Sequence, residues 1–138
     1  MLKIKKSLIL VIPCILALTV GCSSDTDENG DTKVVIGGLV DLTGDLASIG
    51  QPFEQAMRLA ELEINAAGGI HGLELTIDAR DTQLSAERAV ELAGELVASG
   101  VKAIAGEIAS GISMAVATEV SKPNKILQCA GSSTSPAI

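Results

Sequence analysis

KVVIGGLVDLTGDLASIG, residues 33–50, carries the pattern that decides the fold. The β-branched run Val34-Val35-Ile36 reads as a strand. Gly37-Gly38 follow, Asp41-Leu42-Thr43-Gly44 turn the chain through a polar loop, and beyond Gly50 the apolar spacing becomes helical. Strand, polar loop and helix in that order form the first half of a βαβ unit. In open α/β sheets, ligands bind in the loop beyond such a strand.

The same alternation continues down the chain. Pro52 suits a first helical residue, because its missing amide has no partner to lose there. Phe53, Ala56, Met57, Ala60, Ile64 and Ala67 fall on one helical stripe, with Gln55, Arg58, Glu61 and Asn65 largely off it. Gly68-Gly69 supplies the left-handed turn that closes a helix, and Ile70-His71-Gly72 returns to the sheet. Leu73 to Ile77 alternates as a second strand, followed by a polar loop from Asp78 to Leu84. Ser85 is an N-cap and Glu87 is favourable in the first turn of a second helix. Ala86, Ala89, Val90, Ala93, Leu96 and Val97 form its apolar stripe, Glu87, Glu91 and Glu95 its solvated side, and Gly100 its stop. Val101 to Gly106 is a third strand, Ser110 to Val120 a third helix ending before Pro123, and Lys125 to Cys129 a fourth strand. The fold class is therefore α/β, a parallel Rossmann-like sheet with helices on both faces and right-handed crossovers. Ser135-Pro136 resembles the start of a further helix. A last strand without its covering helix predicts that this sequence is the N-terminal fragment of a longer protein.

Composition removes several classes of function. Ten basic against 17 acidic side chains leave a net charge of −7, and Phe53 is the only aromatic residue. A nucleic-acid partner needs a basic face or stacking platforms, so none is expected. Three of the cationic residues, Lys3, Lys5 and Lys6, belong to the extreme N-terminus, which makes the remainder more acidic still and unsuited to polyanions.

Those lysines precede an apolar run from Ser7 to Val20, interrupted by Pro13. About 20 apolar residues are needed to span a bilayer, and this run is shorter. A charged start, a short apolar stretch and a small residue before the cut describe a secretory signal peptide over 1–21. Leu18-Thr19-Val20-Gly21-Cys22 resembles the lipobox of bacterial lipoproteins, in which Cys22 is lipidated; Thr19 stands where leucine is usual. Residues 22–32, rich in Ser, Asp and Thr, then read as a flexible acidic tether. Two or more acyl chains anchor firmly at ~0.8 kcal/mol per buried methylene. With Cys14 removed and Cys22 lipidated, Cys129 is left unpaired and expected as a small buried hydrophobe, with no disulfide or metal-ligand spacing.

Three loops gather at the ligand edge of the predicted sheet: Asp41 to Gly50, Glu107 to Ile112, and Ala130 to Pro136. Neither the G-x-G-x-x-G nor the G-x-x-x-x-G-K-[ST] phosphate cradle is present. Ile108 and Ile112 flank Ser110 where a nucleophile elbow requires glycines. His71, the only histidine, enters strand two at the opposite edge, as an exposed turn residue. Asp78, Asp81, Asp41, Asp45 and Glu107 are read as solvating or capping the loops, so no catalytic residue, metal site or cofactor is expected. What remains is hydroxyls and helix starts: Ser110-Gly111, and Ser132-Ser133-Thr134-Ser135. Free amides there favour an anionic group by ~0.3–1 kcal/mol each. That suits a small carboxylate better than a phosphate, while simple capping is the competing role for each residue.

LVDLTGDLASIG (39–50), INAAGGIHG (64–72), DARDTQLSAERAVELAGELVASGVKAIAGE (78–107) and CAGSSTSPA (129–137) together resemble the leucine/isoleucine/valine-binding proteins. These are the periplasmic-binding-protein type 1 components of branched-chain amino-acid ABC transporters. The resemblance implies a first lobe of a two-lobed fold that closes over an amino acid and grips its carboxylate; 33–138 is then an incomplete N-terminal ligand-binding lobe, unstable and unable to bind tightly alone because half the clamp is missing. By it, Ser110 and Thr134 take the hydroxyl donor positions, and Ser132 and Ser133 stand where loop backbone meets ligand. Ile49 occupies a place that is aromatic in some members. The acidic group that pairs with the ammonium belongs to the second lobe, and related members bind amides, urea or aromatic acids. The implied partners are a small-molecule ligand, an ABC permease and, through the lipid anchor, a membrane. A ligand-sensing receptor domain on the same fold is the alternative. An extracytoplasmic α/β enzyme is the third reading, and it lacks a nucleophile and base in this stretch.

Overall fold

The computed structural model describes Gly30 and residues 32–137. The expected signal peptide, Cys22 and most of the tether lie outside the described residues. Four parallel strands, β1 (Lys33–Val40), β2 (Glu74–Asp81), β3 (Ala103–Gly106) and β4 (Leu127–Cys129), stand in the order β2-β1-β3-β4. Between them run α1 (Ala47–Ala66), α2 (Ala86–Ala98) and α3 (Ser110–Val116). A π-helical turn (Ala117–Ser121) and a last α-helical turn, α4 (Lys122–Asn124), extend α3.

Alternation along the strands places apolar residues on both faces. On one face Leu39 and Ile104 meet Ala89, Leu92, Ala93 and Leu96 of α2, together with Ile112, Val116 and Val120. On the other, Val40 and Ile77 meet Met57 of α1, with Leu42, Phe53, Ala79 and Ala105 around them. Helices therefore cover both faces, as the sequence pattern predicts.

Several local expectations are corrected. Helix α1 begins at Ala47, with Pro52 inside it. The buried Asp41 carboxylate starts it early by accepting the amides of Gly44 and Leu46, both at 2.7 Å. The apolar stripe of α1 is only partly buried: Met57 is covered, whereas Ala56, Ile64 and Ala67 are exposed. Arg58, Glu61 and Asn65, expected off that stripe, instead bond the backbone of the edge strand β2 at Ile77 and Leu75. Part of α1 thus meets peptide groups at the edge of β2 that no strand pairs, and polar side chains satisfy them.

Strand β2 runs on to Asp81, because Asp78 to Asp81 continue the pairing with Gly37 to Val40. The third helix continues past Pro123 to Asn124 and closes at Lys125 in the left-handed conformation, φ 57°. Proline falls near the start of the α-helical turn after the π turn, where its missing amide costs little. Cys129 is exposed, because β4 forms a sheet edge. Strands β3 and β4 start later than expected, at Ala103 and Leu127. As expected, Ser85 accepts the Arg88 amide at 3.3 Å, Gly68, Gly69 and Gly100 have positive φ, and His71 is exposed.

Candidate functional site

Strand order reverses between β1 and β3: the connection from β1 leads outward to β2, and the next crosses over to β3. Crevices form at the carboxyl ends of strands flanking such a switch point. The loops after β1, β3 and β4 meet there.

The loop after β1 is tied from within. Asp41, fully buried, holds Gly44 and Leu46, and a side chain at Gly50 would stand 1.8 Å from the Asp41 carbonyl oxygen. Asp81, from the end of β2, accepts the Leu42 amide (2.9 Å), the Thr43 hydroxyl (2.6 Å) and the Gln83 amide (3.1 Å). Burial pushes the Asp81 carboxyl up, and the Thr43 hydroxyl with the surrounding amides outweighs it, leaving it below the usual carboxylate range.

The turn after β3 is built on Glu107, which is fully buried. Its carboxylate accepts the amides of Ile108 (3.0 Å) and Ala109 (3.3 Å), and the hydroxyl of the buried Thr82 forms a short hydrogen bond with it. Asp41, Asp81 and Glu107 therefore bond loop amides, as expected from the sequence. Asp78 is paired with Arg80 at 2.7 and 2.8 Å, and that hydrogen-bonded guanidinium holds its carboxyl low.

The serine-rich loop after β4 docks on that turn. Ser132 donates to the Ile108 carbonyl at 2.9 Å. Ser113 and Ser133 lie 2.7 Å apart, and both reach the Glu107 carbonyl, at 3.1 and 3.4 Å. With one proton each, the consistent assignment has Ser133 donating to Ser113 and Ser113 donating to Glu107. Ser110 Oγ accepts the amides of Thr134 (3.1 Å) and Ser135 (3.2 Å).

Four of the five residues expected at the site, Ser110, Ser132, Ser133 and Thr134, are thus brought together. Ile49 lies in the first turn of α1 and is 51% exposed. The contact between α1 and the serine loop is made one turn later, by Phe53. Its ring presses on Gly131 so closely that a side chain there would stand 2.2 Å from Phe53 Cε2. Sequence reasoning missed Phe53, Thr82 and Ser113 as parts of this edge. Ser113 had one signal, its place three residues after Ser110 on the same helical face; Thr82 had none. Chemically, the edge gathers hydroxyls around a loop junction whose amides are held by Asp41, Glu107 and Ser110 Oγ, so each buried carboxylate is occupied by donors of the chain itself. Among the described residues, no group of three or more His, Cys, Asp or Glu side chains could hold a metal ion.

Comparison with known proteins agrees with this architecture. The family model described as "Periplasmic binding protein" matches residues 33–137. A Leu/Ile/Val-binding protein homolog 2 of Brucella abortus is 29% identical over 133 residues, covering 96% of this chain and 34% of that relative. The chain therefore spans about a third of that protein's length. In structure, it is similar to the branched-chain amino acid transporter substrate binding protein LivJ of Streptococcus pneumoniae, solved with isoleucine. The TM-score is 0.72 at 28% identity, over 75% of this chain and 30% of that one. A leucine binding protein, LivK, of Thermotoga maritima matches with a TM-score of 0.68 at 26% identity, over 75% of this chain and 29% of that one. These neighbours are two-lobed binding proteins and not enzymes, and the present sheet corresponds to part of their fold. With a matching family model across the whole of its sheet and helices, the chain belongs to the periplasmic binding protein family.

Proposed function

We propose that this chain forms part of the first lobe of an extracytoplasmic, lipid-anchored solute-binding protein. It captures a small carboxylate, such as a branched-chain amino acid, and delivers it to an ABC transporter permease. The observation that carries this is the junction of Ser110 with the Thr134 and Ser135 amides at the carboxyl edge of the sheet, beside the switch point. With those amides held by Ser110 Oγ, the hydroxyl protons of Ser110 and of the exposed Thr134 are left to donate there, with no added positive charge, which suits a carboxylate. The relatives' names point to the same ligands: Leu/Ile/Val binding in Brucella, and isoleucine in the Streptococcus complex. Cys22, within the lipobox-like stretch, is the anchor, and 23–32 the tether. No helix among the described residues is long and apolar enough to cross a membrane.

Calorimetric titration of the full-length protein with a panel of amino acids, amides and aromatic acids tests the ligand. Leucine, isoleucine or valine should bind; failure of every small carboxylate discards the proposal. Cys22→Ala should move the protein from the membrane to the soluble fraction, and unchanged attachment removes the lipid anchor from it.

A further inference from the structure

We propose that Glu107 is the positioning residue of the ligand edge, setting the shape of both serine-bearing loops without itself meeting the solute. The role assigned to that edge rests on the proposed solute-binding function; the positioning is a property of the chain.

Glu107 is fully buried, yet none of the ion pairs among the described residues includes it. A buried carboxylate without a cation is costly unless donors satisfy it. Here they come from the chain's own turn and from Thr82: two consecutive amides on one oxygen and a hydroxyl on the other. An acceptor oxygen facing the turn is what this arrangement needs, since both Ile108 and Ala109 aim their N–H groups at Glu107 Oε2.

The consequence lies on the other side of the same peptides. With those amides held inward, the carbonyls of Glu107 and Ile108 are presented to the loop after β4, where Ser113 with Ser133, and Ser132, donate to them. Ser110 follows directly, and its hydroxyl holds the amides of Thr134 and Ser135. On the inner side Thr82 is fixed to the strands, its amide bonding the Val40 carbonyl at 2.8 Å. One side chain therefore links the ends of β1 and β2 to two loops that are distant in sequence. In a site where hydroxyls and amides must converge on one small group, displacement of that turn moves every one of them.

Replacement by glutamine preserves this geometry. The amide oxygen accepts the Ile108 and Ala109 N–H groups, the amide nitrogen donates to Thr82, and the Thr82 proton turns to the Val40 carbonyl 3.2 Å away. Leucine fills similar space and accepts nothing.

The experiment combines hydrogen exchange and isoleucine titration on full-length wild-type, Glu107→Gln, Glu107→Leu and Thr82→Val proteins. Glu107→Leu should speed exchange at Ile108, Ala109, Thr134 and Ser135 by about tenfold or more, and weaken isoleucine by about tenfold. Amides within β1 and α2 should stay protected. Glu107→Gln should stay within about threefold of wild type in both measurements. Thr82→Val, which removes one donor and keeps the carboxylate, should show a smaller rise at the same four amides and supplies the test if Glu107→Leu does not fold. Wild-type exchange at Thr134 and Ser135 in Glu107→Leu, or in Thr82→Val should the leucine variant not fold, overturns the proposal. So does damage in Glu107→Gln equal to that in Glu107→Leu, which would make charge, not acceptor geometry, the requirement. If wild-type protein fails to bind isoleucine, the branched-chain reading falls while the exchange data still decide the role of Glu107.

Discussion

Asn65 makes both edge hydrogen bonds of Leu75: its side-chain amide donates to the Leu75 carbonyl and its oxygen accepts the Leu75 N–H, each at 2.8 Å. One side chain of α1 thus stands in for a missing neighbour of the edge strand β2. Arg58 repeats the device at the Ile77 carbonyl, 2.6 Å away, held by ion pairs to Glu54 (2.8 Å) and Glu61 (3.0 Å). Removing Asn65 leaves the N–H and the carbonyl of Leu75 without that partner under a helix. Asn65→Ala should lower the unfolding free energy by about 1–3 kcal/mol, read as a shifted urea midpoint with unchanged slope. A shift worth under about 0.5 kcal/mol would mean that water replaces the side chain there.

Acid should loosen the loop after β1. The Asp81 carboxyl is held below its ordinary value, so it binds a proton less readily folded than unfolded. Its stabilising contribution is complete above the unfolded value near ~3.9 and disappears as the pH falls through the lower folded value. Asp78, held low by Arg80, acts in the same sense. The melting temperature should therefore fall on acidification below about pH 4, and Asp81→Asn should flatten that limb. An acid limb of unchanged steepness in Asp81→Asn would remove the carboxylate from this role.

At the candidate site, Ser110→Ala deletes the acceptor of the Thr134 and Ser135 amides. We expect it to weaken amino-acid binding by about tenfold or more, the scale of one hydrogen bond to a charged group. Thr134→Ala, on an exposed side chain, should weaken binding without changing the melting temperature. Unchanged affinity in both variants would return these residues to a capping role.

Glycine is required where backbone passes backbone. A side chain at Gly106, which has φ +106°, would stand 2.0 Å from the Leu39 carbonyl oxygen. Gly106→Ala should cost at least ~1–3 kcal/mol. Gly94, inside α2, has open space around it, and Gly94→Ala should stabilise by up to about 1 kcal/mol. Equal melting temperatures for the two variants would contradict the close approach at Gly106.

Local pattern carried the architecture. Period-two and period-3.6 spacing, with stops at Gly68-Gly69 and Gly100, is enough to order strands and helices, because each signal is written within a dozen residues. The serine loops were legible for the same reason: hydroxyls at a helix start and after a strand declare themselves by position. Where local rules and long-range bonds compete, the long-range bonds win. Pro52 looks like a helix start until Asp41 caps the turn before it. Arg58, Glu61 and Asn65 fall off the apolar stripe, and their role shows only once β2 is known to be an edge.

The local pattern of residues 33–137 determined an α/β order of strands and helices with three polar loops gathered at one end of the sheet. Only folding decided that Glu107, 25 residues from Thr82 in sequence, would share a buried hydrogen bond with it, or that Phe53 rather than Ile49 would press on Gly131. Such contacts depend on strand order and register, which bring distant residues together and leave no period in the chain.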